Sequence, residues 1–84
     1  MTRLWPKGQL ISVVSDGDGT PRSFEWQGCT HPVTGIGKRW RVDTGWWRVR
    51  VWREYFKLET GTGLLVILYR DLLTGTWYLQ RLYD

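Results

Sequence analysis

With 84 residues and a net charge of +4, the chain has room for one domain and one core. A chain this short buries little more than about 60% of its unfolded surface, which excludes a second domain or a deep active-site cleft. Seven tryptophans, four tyrosines and two phenylalanines supply rings that each bury roughly 150–250 Å², and a single cysteine, Cys29, excludes an intramolecular disulfide and fits a reducing compartment.

The opening Met1-Thr2-Arg3-Leu4-Trp5-Pro6-Lys7-Gly8 has no signal-peptide core, and no apolar run approaches the roughly 20 residues of a membrane span. A cytoplasmic protein with no membrane partner is expected, with residues 1–8 a loosely ordered lead-in to a single domain over 1–84. Leu10-Ile11-Ser12-Val13-Val14 reads as the first strand, ended by the turn Asp16-Gly17-Asp18-Gly19-Thr20-Pro21. Phe24 and Trp26 then alternate with polar residues up to a turn at Gly28. A strand resumes over Thr30 to Thr34, and Gly35-Ile36-Gly37 predicts a bulge or sharp bend.

Lys38 to Val42 and Trp47 to Trp52 form a predicted hairpin across the loop Asp43-Thr44-Gly45-Trp46, its second strand either continuing through Leu58 or breaking near Arg53. Thr60-Gly61-Thr62-Gly63 is a turn. Leu64 to Tyr69 is apolar on both faces, as a central strand covered on both sides would be. Thr74-Gly75 precedes a final strand, Trp77 to Tyr83. Six to seven short strands bent at glycines, with no sustained helical stripe, predict an all-β fold: a small, strongly bent antiparallel barrel or roll, SH3-like, with an OB-like barrel as the runner-up.

The hairpin from Lys38 to Arg53 carries the charge excess, with six cations against the single acid Asp43. Pairing Val42 with Trp47 sets Arg41 opposite Arg48 and Arg39 opposite Arg50. Alternation then places Trp40, Val42, Trp47, Val49 and Val51 on the core side. Arg39, Arg41, Arg48 and Arg50 fall on the other face, flanked by Trp52 and Trp46, with Arg53 at the end. Like charges opposite one another are unfavourable, so the quartet wants an anion. One reading is a contact surface for phosphate or for an acidic protein, since arginine's planar fork fits both; the other is neutralisation from within by Glu54, Glu25 or Glu59.

Catalytic signals are weak. Cys29 and His31 share a strand face, but a zinc site needs further ligands that the chain lacks, and a buried thiol beside a hydrogen-bonded imidazole explains the pair equally well. Asp16-Gly17-Asp18-Gly19 lacks the closing glutamate of a calcium loop, because Gln27 stands there. Neither Gly35-x-Gly37 nor Gly61-x-Gly63 has the lysine of a phosphate loop. No cofactor, no metal and no enzymatic activity are expected.

The segments Phe24-Glu25-Trp26-Gln27-Gly28, Arg39-Trp40-Arg41-Val42-Asp43 with Trp46-Trp47-Arg48, Arg53-Glu54-Tyr55-Phe56-Lys57, Leu68-Tyr69-Arg70-Asp71 and Trp77 to Asp84 carry a resemblance over about nine-tenths of the chain. Together they resemble a family of small bacterial domains that occur alone or at the carboxyl end of Y-family DNA-polymerase-like proteins of the ImuB mutasome type. The resemblance implies an accessory role near DNA damage tolerance, by holding single- or double-stranded DNA or docking a replication or repair protein, and it supplies no functional residues. The expectation is thus a non-catalytic binding module, a monomer or weak homodimer, contacting its partner through Arg39, Arg41, Arg48, Arg50, Trp52, Trp46 and Arg53. A protein-interaction or self-association module with no nucleic-acid role is the alternative.

Overall fold

The computed structural model describes residues 2–46 and 49–83. Seven strands, β1 (Arg3–Leu10), β2 (Ser12–Ser15), β3 (Pro21–Trp26), β4 (Cys29–Trp46), β5 (Val49–Thr60), β6 (Leu65–Asp71) and β7 (Trp77–Tyr83), form one antiparallel sheet in the order β1-β7-β6-β5-β4-β3-β2. No helix occurs among the described residues, and so none is long and apolar enough to cross a membrane. β2 to β7 are a meander of neighbours. β1 turns back to pair with β7, and only Ile11 separates it from β2.

That single-residue link forces the two edges of the sheet towards one another. The Ile11 amide donates to the Trp77 carbonyl at 3.3 Å, and Trp5 of β1 meets Trp26 of β3 edge-on, with ring centroids 6.1 Å apart. The sheet therefore curls into a half-barrel, the expected small barrel or roll. Its inner face holds the main core of Phe24, Phe56, Leu58, Val66, Leu68, Trp77, Leu79 and Leu82. As the apolar run predicts, β6 is buried on both faces, with Val66 and Leu68 turned inward and Ile67 and Tyr69 outward. Where a bulge was predicted, the register shifts twice, between Val33 and Gly35 and between Ile36 and Lys38, and one extra residue of β4 at each shift bends the strand.

Three expectations are corrected. Residues 3 to 8, expected to be loose, belong to β1, because their ladder to β7 (Arg3 opposite Leu82, Leu4 opposite Arg81) closes the sheet. The predicted loop at Asp43 to Trp46 is strand: β4 runs to Trp46 and pairs it with Val49, so Arg41 faces Glu54 in place of Arg48. Extending the ribbon adds ladder pairs and gives Arg41 a carboxylate and Arg39 an aromatic ring in place of the opposing arginines. Each partner moves six residues along β5. Six is even, so residues keep their sorting into two faces. The assignment of those faces is nevertheless reversed, because Arg39 lies opposite Phe56, and Phe56 is a residue of the main core. The arginine row therefore continues the inner face, while Trp40 and Val42 pack on the outer face with Tyr55, Ile67 and Tyr69.

Closure at β1 depends on Gly8. Its φ is +79°, and a Cβ there would stand 2.6 Å from the Tyr69 hydroxyl oxygen and 2.8 Å from Tyr78 Cβ. Gly8→Ala should cost about 2 kcal/mol from backbone strain and the forced clash, lowering the thermal midpoint by about 10 °C at this size. An unchanged midpoint in circular-dichroism melting would show that β1 does not dock on β7 in this way.

Candidate functional site

The two faces of the β4–β5–β6–β7 sheet carry different chemistry. On the inner face one row runs Arg41, Glu54, Arg70, Trp77 through directly paired positions. Glu54 is 5% exposed, and its Oε2 accepts hydrogen bonds from Arg39 Nε at 3.0 Å and Arg41 Nε at 3.1 Å. Arg39 also stacks over Phe56, its guanidinium carbon 5.0 Å from the ring centroid, and Arg70 lies 5.9 Å over Trp77. Guanidinium groups thus cap the core where the half-barrel opens. Burial alone would raise the Glu54 carboxyl, but the hydrogen bonds and charges of Arg39 and Arg41 outweigh it and hold the group below its ordinary value of 4.5. The same hydrogen bond raises Arg39.

Further out, Arg50 pairs with Asp43 at 3.3 Å and covers Trp52 at 4.8 Å, which braces a two-stranded arm. Arg39, Arg41, Arg50 and Trp52, predicted as a contact surface, therefore do share a face, and Glu54 and Asp43 meet its charge from within. Glu25 and Glu59 form no ion pair among the described residues. Arg48 and the side chain of Trp46 lie outside the described residues.

Arg53 leads to the outer face, which sequence reasoning left without a role. There, directly paired residues place Trp40, Tyr55, Tyr69 and Tyr78 in one row across four strands, continued by Leu10 of β1. Successive centroids are 5.2, 5.2 and 5.0 Å apart. Alongside runs a second row, Lys38, Lys57, Ile67, Arg81, with two lysines directly opposed. Arg53 sits over Tyr69 at 4.5 Å and donates to the Tyr55 hydroxyl at 3.3 Å, while Lys57 and Arg81 stand over Tyr83 at 5.3 and 5.6 Å. None of Lys38, Arg53, Lys57 and Arg81 forms an ion pair with a carboxylate among the described residues. Burial pushes the Tyr69 phenol up, and its hydroxyl donates to the Lys7 carbonyl at 3.1 Å.

Other features carry less. Cys29, expected to be a buried thiol, is exposed, because it stands at the mouth of the β3–β4 turn. His31 is buried, stacked on Phe24 and hydrogen-bonded through Nδ1 to Thr62 Oγ1 at 2.7 Å. The Asp16–Thr20 segment is a turn in which Asp16 and Asp18 accept backbone amide hydrogen bonds. Among the described residues no three of His, Cys, Asp and Glu gather as a metal site would need. The seam between β1 and β3 leaves an open cleft of about 480 Å³ beside Trp5, Glu25 and Trp26.

Glu54 makes acid sensitivity predictable. A carboxylate whose folded pKa is depressed stabilises fully above its unfolded value and loses that contribution as pH falls through the folded one. Glu54→Gln should cost about 1.5–3 kcal/mol at neutral pH, the worth of hydrogen bonds to charged groups, and the gap to the parent should shrink below the ordinary value of 4.5. Urea unfolding of both chains from neutral pH into acid measures this; a gap constant across that range would refute it. Compared with family models, curated proteins and solved structures, the chain has no match.

Proposed function

We propose that this domain is a non-catalytic module that binds nucleic acid on the outer face of its sheet, in the setting of DNA damage tolerance that the resemblance suggests. The observation that carries the reading is the row of outer-face cations, Lys38, Lys57 and Arg81 with Arg53 beside them, which stand over aromatic rings without a carboxylate partner among the described residues. Opposed lysines repel across a ladder, and a chain of phosphates relieves that repulsion while leaving the lysine and arginine stems on the rings. The inner-face arginines serve a different end, since Glu54 and Asp43 already satisfy Arg39, Arg41 and Arg50.

Protein interaction is the second reading, favoured by the edge of β4. β3 pairs with β4 only as far as Pro32, so the same edge of residues 33–46 has no strand beside it among the described residues. Such an edge invites strand addition by a repair protein or a second copy. Light scattering showing a monomer at high concentration would count against self-association.

Fluorescence anisotropy with labelled oligonucleotides tests the first reading. Binding should weaken steeply with added salt, and Lys57→Ala should lower the slope of log affinity against log salt by about one. Arg41→Ala should leave that slope unchanged. Absence of salt-sensitive binding at low ionic strength would overturn the assignment.

A further inference from the structure

The ladder's own geometry decides which ring can meet a base. Neighbouring rings have centroids 5.0–5.2 Å apart: Trp40 on Tyr55 and Tyr69 on Tyr78 are stacked, at interplanar angles of 8° and 21°, and Tyr55 is tilted against Tyr69 at 35°. Tyr55 and Tyr69 have ring neighbours on both sides within the row, Tyr69 carries the Arg53 guanidinium as well, and they are 8% and 2% exposed. At one end, Tyr78 is closed off by β1, where Leu10 pairs with it and Gly8 packs on its Cβ.

Trp40 stands at the other end. One face of its indole lies on Tyr55, nearly parallel at 8°. The other looks towards the side of β4 that has no neighbouring strand among the described residues. The ring is half-buried, and the exposed Lys38 lies over it, its Nζ 5.2 Å from the centroid. An indole held by a stacked tyrosine at the open edge of β4, with an ammonium over it that can move aside, can take a flat π-system carrying a negative charge.

Building on the nucleic-acid reading, we propose that Trp40 is the stacking platform for one unpaired base, with Lys38 moving to the adjoining phosphate, so that the ligand is single-stranded nucleic acid and not duplex. In a duplex each base is covered on both sides by its neighbours, and its face is closed to the indole. A single strand offers that face without unpairing, and the row Lys38, Lys57, Arg81 gives its backbone a cationic track beside the ladder.

The test compares a fluorescein-labelled oligothymidylate with a duplex of equal length. The parent should bind the single strand several-fold tighter. Trp40→Leu, which keeps apolar cover over Tyr55, should weaken single-strand binding about tenfold, the order expected for one stacked base, and leave duplex binding unchanged; Trp40→Phe should restore most of it. Independently of any variant, an oligonucleotide containing 5-iodouridine should photo-crosslink to Trp40 in the unaltered chain. Equal affinity for both ligands, or a crosslink at Trp52 or Trp5 in place of Trp40, would overturn the platform while leaving the nucleic-acid reading standing. Failure to bind either ligand at low salt would overturn both.

Discussion

A buried carboxylate organises the charged half of this molecule. Glu54 lies on the inner face between Arg41 on β4 and Arg70 on β6, with Arg39 reaching it from the diagonal position. An acid at this depth survives as an anion only because cations surround it, and cations this closely set are tolerable only because the anion lies among them. Their mutual requirement favours this β4–β5 register, since the other acid of β5, Glu59, lies five residues on, an odd shift that would turn Phe56 and Leu58 out of the core. It also fixes the end of the core, because Arg39 and Arg70, held in this arrangement, lie over Phe56 and Trp77 as a lid.

The inner and outer faces of the sheet divide the charge of the hairpin between them. The same even spacing that sends Arg39, Arg41 and Glu54 inward sends Trp40, Arg53, Tyr55 and Lys57 outward. The two rows differ in what answers their charge. Inside, every described hairpin arginine has a carboxylate. Outside, Lys38, Lys57 and Arg81 rest on aromatic rings, which weaken their hydration without neutralising them, while Arg53 over Tyr69 lies opposite Asp71 in the ladder. A segment that looks uniformly basic along the chain is therefore two surfaces whose charge is answered in different ways.

Much of the fold was legible because strand-length apolar runs and glycine turns are local signals: the double-sided burial of β6, the bulge around Gly35 and Gly37 and the final strand from Trp77 follow from their own residues. β1 was not legible, since Arg3 to Leu10 has little strand character and is ordered by a partner more than 60 residues away in sequence. The reversed faces were within reach. Phe56 and Leu58 share the parity of Arg50, Trp52 and Glu54, so carrying the alternation through to Leu58 would have shown that the arginines lie on the core side. The aromatic row was beyond reach, because placing Trp40, Tyr55, Tyr69 and Tyr78 in line needs the registers of three strand pairs at once, and an error of one residue in any of them scatters the row.

The pairing of β1 with β7 has a consequence for how the molecule comes into being. Of these seven strands the first made is held by the last, Arg3 against Leu82, so the meander of β2 to β7 can assemble in order while β1 waits. Contacts so distant along the chain carry the largest loop-closure entropy and form late. Until β7 is made, β1 and the edge of β6 lack their partner strand, and a chain arrested near Thr76 would expose the core that Trp77, Leu79 and Leu82 normally complete.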